Sequence, residues 1–290
     1  MINAIEKSSD HFPALLKEIA DLPKQLYVLG ALPDDAVAKV AIVGTRKATA
    51  QGKFLARNVA EQLARRGMVI VSGLAMGIDT AAHEGALRAQ GKTIAVLPCG
   101  LDSIYPRQNE RLAREICKAG GALVSEYTPE TQALQYRFLE RNRIVSGLSI
   151  ATIIIEAPSA SGALVTARLA GEQGREVFVF PGPHNHPNYI GSHALIRDGA
   201  RLVASVEHIL EDLGFDTNAS RESMSAVPES VFPDSGKERR IFEIIKEAGA
   251  PIRIDKIIEL TKLESRVVNQ TLTMLSLHNM IKEAEGGYTI

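Results

Sequence analysis

The sequence predicts a doubly wound α/β domain that is followed by a small helical module. Three observations lead to this prediction. Six short apolar runs of strand length recur between residues 40 and 182, amphipathic stretches of helical length separate them, and the composition changes after residue 213. A chain of 290 residues is long enough for one large domain of this kind and a small appendage.

The six apolar runs are the predicted strands, and they read VAIVG (40–44), MVIVSG (68–73), TIAVLPCG (93–100), ALVSEY (122–127), ATIIIEA (151–157) and EVFVFPG (176–182). Continuous apolar runs are typical of strands that are buried on both faces of a parallel sheet. Right-handed crossovers place the intervening helices on both faces. The predicted core is therefore a doubly wound, mostly parallel, Rossmann-like sheet.

The remaining segments complete the predicted domain organisation. Residues 1–39 form an N-terminal lead-in with a helical turn or two, and QLYVLG (25–30) is predicted as an edge strand. Residues 40–213 form the Rossmann-like domain. Residues 214–236 are rich in Ser, Asp, Glu and Pro, which is typical of a flexible linker. Residues 237–290 contain three helical patterns and a terminal hairpin, which predict a small winged-helix-like domain.

The composition limits the kinds of partner. The formal net charge of -1 excludes a protein that is coated with basic surface, so any polyanion must meet a local cluster of cations. Cys99 and Cys117 have no metal-ligand spacing, and we expect reduced thiols. The N-terminus has no signal-peptide pattern, and no apolar run reaches about 18 residues. We therefore expect a cytoplasmic protein without a membrane partner.

The turns that follow the predicted strands are the first candidate site. They carry Gly44, Thr45, Arg46 and Lys47 after the first strand, Ser72, Gly73 and Gly77 after the second, and Ser161 and Gly162 after the fifth. Ligands of open parallel sheets bind at this edge, where helix N-termini present unpaired N–H groups. Together these turns predict a phosphate cradle, although each glycine alone is equally compatible with turn geometry. Neither GxxxxGK[ST] nor GxGxxG occurs, so we expect no ATP or NAD cofactor.

A second basic cluster lies in the segment YRFLERNRIVSG. Its arginines are interleaved with two aromatic residues and one amide: Arg137, Arg141 and Arg143 with Tyr136, Phe138 and Asn142. Arginines that bind phosphates beside aromatic rings that stack on bases are typical of single-strand binding proteins. The alternative interpretation is a surface helix with salt-bridged arginines, which Glu140 supports.

In combination these motifs resemble the DprA/Smf family of DNA-processing proteins. The matching strings include GTRKATAQG (44–52), SGLAMGIDTAAHEGAL (72–87), FLERNRIVSGLS (138–149) and GSHALIRDGARLV (191–203), and they run in family order from residue 44 to residue 203. The resemblance implies a dimeric, non-enzymatic protein. It would bind incoming single-stranded DNA during natural transformation and help to load RecA recombinase. It implies no metal and no other cofactor.

The resemblance also assigns individual roles. By position, Arg46 matches an arginine that grips the DNA backbone, Arg107 matches a basic position in the same groove, and Phe138 matches an aromatic residue that stacks on a base. Two positions depart from the family pattern, because Leu139 replaces a proline and Gln135 replaces a lysine. The self-association surface of the family falls on ALIRDGARLV, with the interface candidates His193, Ile196 and Leu202.

Several residues also suggest enzymatic alternatives. Asp79 and His83 are four residues apart on one predicted helix, a spacing that suits either an acid–base pair or a helix anchor. His184 and His186 lie in a loop with no nearby carboxylate or cysteine. Nucleotide phosphoribohydrolases of the LOG type have a similar fold, but their PGGxGTxxE string is absent, and no glutamate follows Thr166 at that spacing. A sensor of free nucleotides is the third possible class.

The predicted winged helix differs from a typical duplex-binding module in its charge. Residues 237–290 contain nine Lys and Arg against eight Asp and Glu. Arg266, Asn269 and Gln270 on its third helix are candidate DNA contacts, but the hairpin carries Glu283 and Glu285. A nearly neutral module with an acidic wing lacks the basic face that drives phosphate contact, so we predict an interaction or tuning module.

Overall fold

A computed structural model of the chain describes residues 2–215, 236–248, 251–277, 281–284 and 286–289. The chain divides into two compact units, Met1–Phe215 and Asp216–Ile290. The predicted linker, apart from residues 214, 215 and 236, falls outside the described residues.

Within residues 2–215 the core is a nine-stranded sheet with the order β1-β2-β6-β5-β4-β3-β7-β8-β9. The strands are β1 (Ile2–Glu6), β2 (Gln25–Gly30), β3 (Lys39–Val43), β4 (Val69–Ser72), β5 (Thr93–Val96), β6 (Ala122–Ser125), β7 (Ala151–Ile154), β8 (Glu176–Val179) and β9 (Arg201–Leu202). Strands β3 to β9 are mutually parallel. Strand β2 pairs antiparallel with β6 on one side and with β1 on the other. The six predicted strands are β3 to β8, and the prediction of a doubly wound, mostly parallel sheet is confirmed.

Helices cover both faces of this sheet, as continuous apolar strands require. They are α1 (Ala14–Lys17), α2 (Ala50–Arg65), α3 (Ile78–Arg88), α4 (Glu110–Lys118), α5 (Gln135–Gly147), α6 (Gly162–Glu172), α7 (Ile190–Arg197) and α8 (Val206–Asp212). Successive residues of β3 alternate between two apolar cores, one on each face of the sheet. Val40 and Ile42 pack with residues of α2, α3 and α8, whereas Ala41 and Val43 pack with residues of α1, α5 and α6.

The N-terminal lead-in corrects one prediction. QLYVLG, predicted as an edge strand, is β2 and lies inside the sheet, because β6 pairs with one side of it and β1 with the other. Residues 2–6 form the true edge. Their sequence, INAIE, has only two large apolar residues, so the run was too short and too polar to be predicted as a strand.

Strand β3 marks the point where the direction of strand addition reverses. The chain passes from β3 through β4 and β5 to β6, and it then returns to the other side of β3 to form β7, β8 and β9. The loops that follow β3 and β7 therefore diverge at the carboxyl edge of the sheet. Such a divergence opens a crevice in which α/β proteins bind their ligands.

The second unit has its own apolar core. It comprises α9 (Gly236–Ala248), α10 (Ile254–Thr261), α11 (Ser265–Leu277) and an antiparallel hairpin of β10 (Lys282–Ala284) and β11 (Gly287–Thr289). Ile241, Ile257, Leu272 and Ile281 are buried together between these elements. Three helices that are closed by a hairpin form a winged helix, as predicted.

Candidate functional site

A cavity of about 710 Å³ occupies the crevice beside β3. The loops after β3, β4 and β7 and the first turns of α5 form its walls. It brings together ten of the predicted site residues: Gly44, Thr45, Arg46, Lys47, Gly73, Phe138, Arg141, Asn142, Ser161 and Gly162. The two basic clusters, which are about ninety residues apart in the sequence, therefore line one cavity.

The mouth of the cavity combines a cation with aromatic rings. The guanidinium carbon of Arg46 lies 4.8 Å from the centroid of the Phe138 ring, and Tyr105 meets Phe138 edge-on at 5.4 Å. Arg46 is exposed, Phe138 is half-buried and Tyr105 is 45% exposed. A cation–π contact orients a guanidinium without using its N–H donors. Because the Arg46 side chain is exposed, its donors remain available to an oxyanion.

Arg141 forms the buried floor of the cavity. Its Nη1 donates to the carbonyl oxygens of Gly73 and Val96, and its side chain is only 4% exposed. A Cβ atom at Gly73 would lie 2.5 Å from Arg141 Nη1, so a larger residue there would displace the guanidinium. Burial lowers the pKa of Arg141 to about 10, which leaves it protonated at neutral pH. Arg141 therefore braces the floor and contributes positive charge to the cavity.

Asp79 and His83 both have structural partners. Asp79 Oδ2 accepts hydrogen bonds from the backbone N–H groups of Gly73 (3.0 Å) and Ala75 (3.4 Å). Burial raises the pKa of Asp79, although the Arg141 charge and these hydrogen bonds oppose the rise. His83 Nδ1 lies 2.7 Å from Thr93 Oγ1, and burial lowers the pKa of His83 to about 3. The imidazole is neutral at physiological pH, and the pair anchors α3 to its neighbours.

At two of the three helices of the expected phosphate cradle, a carboxylate of the chain itself already lies at the N-terminus, and phosphate binding there stays a prediction. The buried carboxylate of Glu156 accepts a hydrogen bond from the backbone N–H of Thr49, the residue that caps α2. Asp79 lies in the first turn of α3 and binds the preceding loop. Both positive helix ends are thus compensated by carboxylates of the chain itself. The start of α6, at Ser161 and Gly162, carries no acidic residue in its first turn.

Two predicted phosphate contacts instead have structural roles. Ser72 is fully buried and donates its hydroxyl to the carbonyl of Ile42 at 2.7 Å. Gly77 has a φ of 90°, and a Cβ atom there would lie 2.3 Å from the carbonyl oxygen of Thr45. Glycine at this position lets the loops after β3 and β4 touch. Neither residue lines the cavity.

The other predicted arginines also lie outside the cavity. Arg143 binds Glu126 through both terminal nitrogens (2.9 and 2.6 Å) and donates from Nε to Asp21 at 2.7 Å. This geometry matches the alternative interpretation of a salt-bridged helix, and the predicted DNA contact of Arg143 stays a prediction. The guanidinium of Arg137 lies between the rings of Tyr127 (4.8 Å) and Tyr136 (5.5 Å). Arg107 is exposed in a short 3₁₀ turn, Arg107–Asn109.

The charges inside the cavity are unequal. Three cations, Arg46, Lys47 and Arg141, line it together with one carboxylate, Asp79. The chain as a whole has a formal charge of -1, so this is the local cationic cluster that binding of a polyanion requires. Sequence patterns did not identify Tyr105 as part of the site, since a lone aromatic residue before a proline carries no signal of its own.

The candidate metal and interface residues lie around α7. His186 Nδ1 accepts a hydrogen bond from the Asn188 N–H at 3.2 Å, and the described residues contain no group of three His, Cys, Asp or Glu side chains arranged to hold a metal. His193 Nε2 lies 3.2 Å from the Gly182 carbonyl oxygen. Ile196 is half-buried against the core, whereas Leu202 on β9 is 53% exposed.

No helix among the described residues is both long and apolar enough to cross a membrane.

In the winged helix, the candidate contacts are only partly described. Asn269 donates its side-chain amide to the Ser265 carbonyl of its own helix at 2.9 Å, and Gln270 is exposed. Glu283 is exposed on the hairpin. The side chain of Arg266 and all of Glu285 lie outside the described part of the chain.

Together, the fold and the site define a Rossmann-like protein with a cationic, aromatic crevice at its topological switch point. A family model described as DNA recombination-mediator protein A matches residues 3–214, and a model of the DprA winged helix domain matches residues 225–287. The chain belongs to this DprA family of DNA-processing proteins.

Relatives from several bacteria agree with this assignment. Protein Smf of Escherichia coli is 41% identical over 288 residues, which cover 98% of this chain and 76% of that protein. DNA processing protein DprA of Bacillus subtilis is 43% identical, over 73% of this chain and 71% of that protein. The X-ray structure of DprA from Streptococcus pneumoniae superposes with a TM-score of 0.68 at 40% identity and covers 75% of each chain.

A second solved structure, of DNA processing protein A from Helicobacter pylori, has a TM-score of 0.65 at 35% identity. The match covers 73% of this chain and 95% of that one. That structure was described for its single-stranded DNA binding mode.

Proposed function

We propose that this protein binds single-stranded DNA at the mouth of the cavity. Arg46 and Lys47 contact backbone phosphates, and the Phe138 and Tyr105 rings stack with bases. The observation that carries the proposal is the exposed guanidinium of Arg46, held 4.8 Å from the Phe138 ring centroid at the mouth of the cavity. A phosphate and the adjacent base of one nucleotide require a cation and an aromatic face side by side.

The proposed binding has little sequence preference. An aromatic face stacks with any base, at about 1–3 kcal/mol per base, and phosphate contacts carry no sequence information. The Helicobacter pylori relative, 35% identical, was studied for its binding of single-stranded DNA, and this supports the same ligand class here.

In the cell, the proposed role is to assist the loading of RecA onto single-stranded DNA during DNA uptake, natural transformation and recombination, in the cytoplasm. The support is the family description as a recombination mediator, together with the motifs shared along residues 44–203. The same motifs support a homodimer through α7 and β9, with His193, Ile196 and Leu202 at the interface.

The division of labour between domains is also a proposal. Residues 40–213 carry strand binding, with 1–39 as a lead-in that completes the sheet. Residues 214–236 tether the module at 237–290, which serves protein interaction or tuning. The balanced charge of residues 237–290 and the exposed Glu283 on the hairpin of this module support the proposal.

Binding rather than catalysis is the proposed activity. Asp79 lines the cavity, but its Oδ2 accepts from two backbone N–H groups, and His83 is fully buried and does not line the cavity, so the two side chains do not face it as an acid–base pair. A phosphoribohydrolase of the LOG type requires a glutamate three residues after the position of Thr166, where this chain has Leu169. Cleavage of a glycosidic bond requires such a carboxylate near the developing positive charge.

The test compares three ligands with the purified protein: labelled oligo(dT) of about 15 nucleotides, a duplex of equal length, and AMP. Fluorescence anisotropy gives the affinity for the first two, and calorimetry gives that for AMP. We expect the single strand to bind most tightly, with an affinity that falls as salt rises because counterions are released. Tight duplex binding with negligible single-strand binding would refute the proposal.

A further inference from the structure

Glu156 is a fully buried carboxylate that lies directly behind the cationic loop and does not line the cavity. Its Oε1 accepts hydrogen bonds from Thr49 Oγ1 (2.6 Å) and Tyr189 Oη (3.2 Å). Its Oε2 accepts from the Thr49 N–H and from Asn188 Nδ2, both at 3.0 Å. Four donors compensate for the cost of burying this charge.

These contacts hold the cationic loop, residues 44–49, at three points. At its start, the Thr45 N–H donates to the backbone carbonyl of Glu156 at 2.7 Å. In its middle, Asn188 Nδ2, which binds Glu156, also donates to the Lys47 carbonyl at 3.1 Å. At its end, Thr49 binds the carboxylate and caps α2 through the Gly52 N–H at 2.9 Å. Arg46 lies between the first two of these points.

The Glu156 carboxylate packs closely against the start of α2. A Cβ atom at Gly52 would lie 2.4 Å from the Glu156 carboxyl carbon, so α2 begins in direct contact with it. Tyr189 donates its hydroxyl to the carboxylate, and burial together with the Glu156 charge and this hydrogen bond raises the pKa of Tyr189 to about 12. The loop, the start of α2 and the segment before α7 thus share one anchor.

We propose that Glu156 is a positioning residue for single-stranded DNA, because it fixes the loop that holds the Arg46 guanidinium over Phe138. This inference rests on the proposed function. Geometry and charge predict opposite effects of removing the carboxylate. A negative charge near a bound polyanion repels it, so a purely electrostatic role predicts tighter binding after removal. A positioning role predicts weaker binding, since the cations no longer have a fixed geometry.

The experiment uses the full-length variants Glu156→Ala and Asn188→Ala, with Glu207→Ala as the control. Glu207 forms an ion pair with Arg66 between α8 and α2 and does not line the cavity. The measurements are the affinity for oligo(dT) at several salt concentrations and the circular dichroism spectrum. We expect Glu156→Ala to weaken binding about tenfold. The slope of log K against log salt should fall in magnitude by about 0.7 for each phosphate that the variant no longer binds. A smaller population of folded protein would leave that slope unchanged.

A double-mutant cycle separates positioning from general damage. In an Arg46→Ala background, Glu156→Ala is expected to weaken binding by less than about twofold, because the arginine that it positions is already absent. Unchanged or tighter binding by Glu156→Ala, or an equal loss in both backgrounds, would overturn the inference. If Glu156→Ala does not fold, Asn188→Ala, whose side chain is partly exposed, decides by the same cycle with an expected loss of about threefold. Wild-type protein without single-strand binding would refute the proposed function as well, whereas normal wild-type binding with unaffected variants refutes only the role of Glu156.

Discussion

Substitution of Arg46 by alanine tests the proposed site most directly. The guanidinium lies over the Phe138 ring, and no hydrogen bond of this side chain occurs among residues 2–215. The substitution therefore removes the proposed contact with DNA and the cation–π contact with Phe138, but no hydrogen bond within residues 2–215. A net hydrogen bond to a charged group contributes about 1.5–3 kcal/mol, and the exposure of Arg46 places the value near the lower limit. We expect a loss of about 1.5 kcal/mol, which is roughly tenfold in Kd.

The assay is fluorescence anisotropy with labelled oligo(dT) at a series of salt concentrations. Removal of one phosphate-binding cation is expected to reduce the slope of log K against log salt by about 0.7. Arg46→Lys keeps the charge but loses the planar stacking on Phe138, so an intermediate affinity with an unchanged slope is expected. Arg111→Ala is the matched control. Arg111 is 91% exposed on α4, outside the cavity, and pairs only with Glu115 among the ion pairs of the described residues.

Two results would refute this reasoning. If Arg46→Ala and Arg111→Ala change the affinity equally, the effect is that of net charge and the cavity mouth is not the site. If Arg46→Ala lowers the affinity without changing the salt slope, the arginine does not contact phosphate.

Three further predictions concern assembly, catalysis and the winged helix. Leu202→Glu, which replaces a 53% exposed side chain, should give a folded monomer in sedimentation experiments. Ile196→Glu is also expected to disturb the core, because Ile196 packs against it. A wild-type monomer at micromolar concentration would contradict the proposed dimer. Chromatography should detect no adenine released from AMP, and release that is lost on substitution of Asp79 would show an enzyme. Truncation after Leu213 retains the three apolar cores of the first unit. The affinity for oligo(dT) should change by less than about threefold, which is under 1 kcal/mol. A tenfold loss would show that the winged helix binds DNA.

The strands and the position of the site were predictable because each depends on local patterns. Continuous apolar runs predicted β3 to β8, and the rule that ligands bind at the carboxyl edge of a parallel sheet pointed to the loops that line the cavity at Arg46. The lead-in was less predictable, since β1 has a weak apolar pattern and is stabilised by pairing with β2.

The roles of individual charged residues were harder to predict, because their partners are distant in sequence. Glu156 binds Thr49 across 107 residues, and Arg143 binds Asp21 across 122. A sequence pattern shows that a glutamate follows a buried strand, but not that its carboxylate occupies the N-terminus of another helix. The same limit applies to Arg143, whose basic character suggested DNA while its carboxylate partners were far away in the chain.

The internal compensation of the α2 and α3 N-termini has a consequence for selectivity. Inorganic phosphate and small metabolites compete for any uncompensated helix end, because a single anion satisfies it. In this protein Glu156 and Asp79 already occupy the ends of α2 and α3, which leaves the start of α6 and the cationic side chains, each of which holds one phosphate weakly on the proposed function. A polymer supplies its phosphates at a high effective concentration once the first is bound, whereas a lone anion does not. On the proposed function, the avidity of a continuous strand, rather than the strength of one binding pocket, would separate DNA from the small anions of the cell.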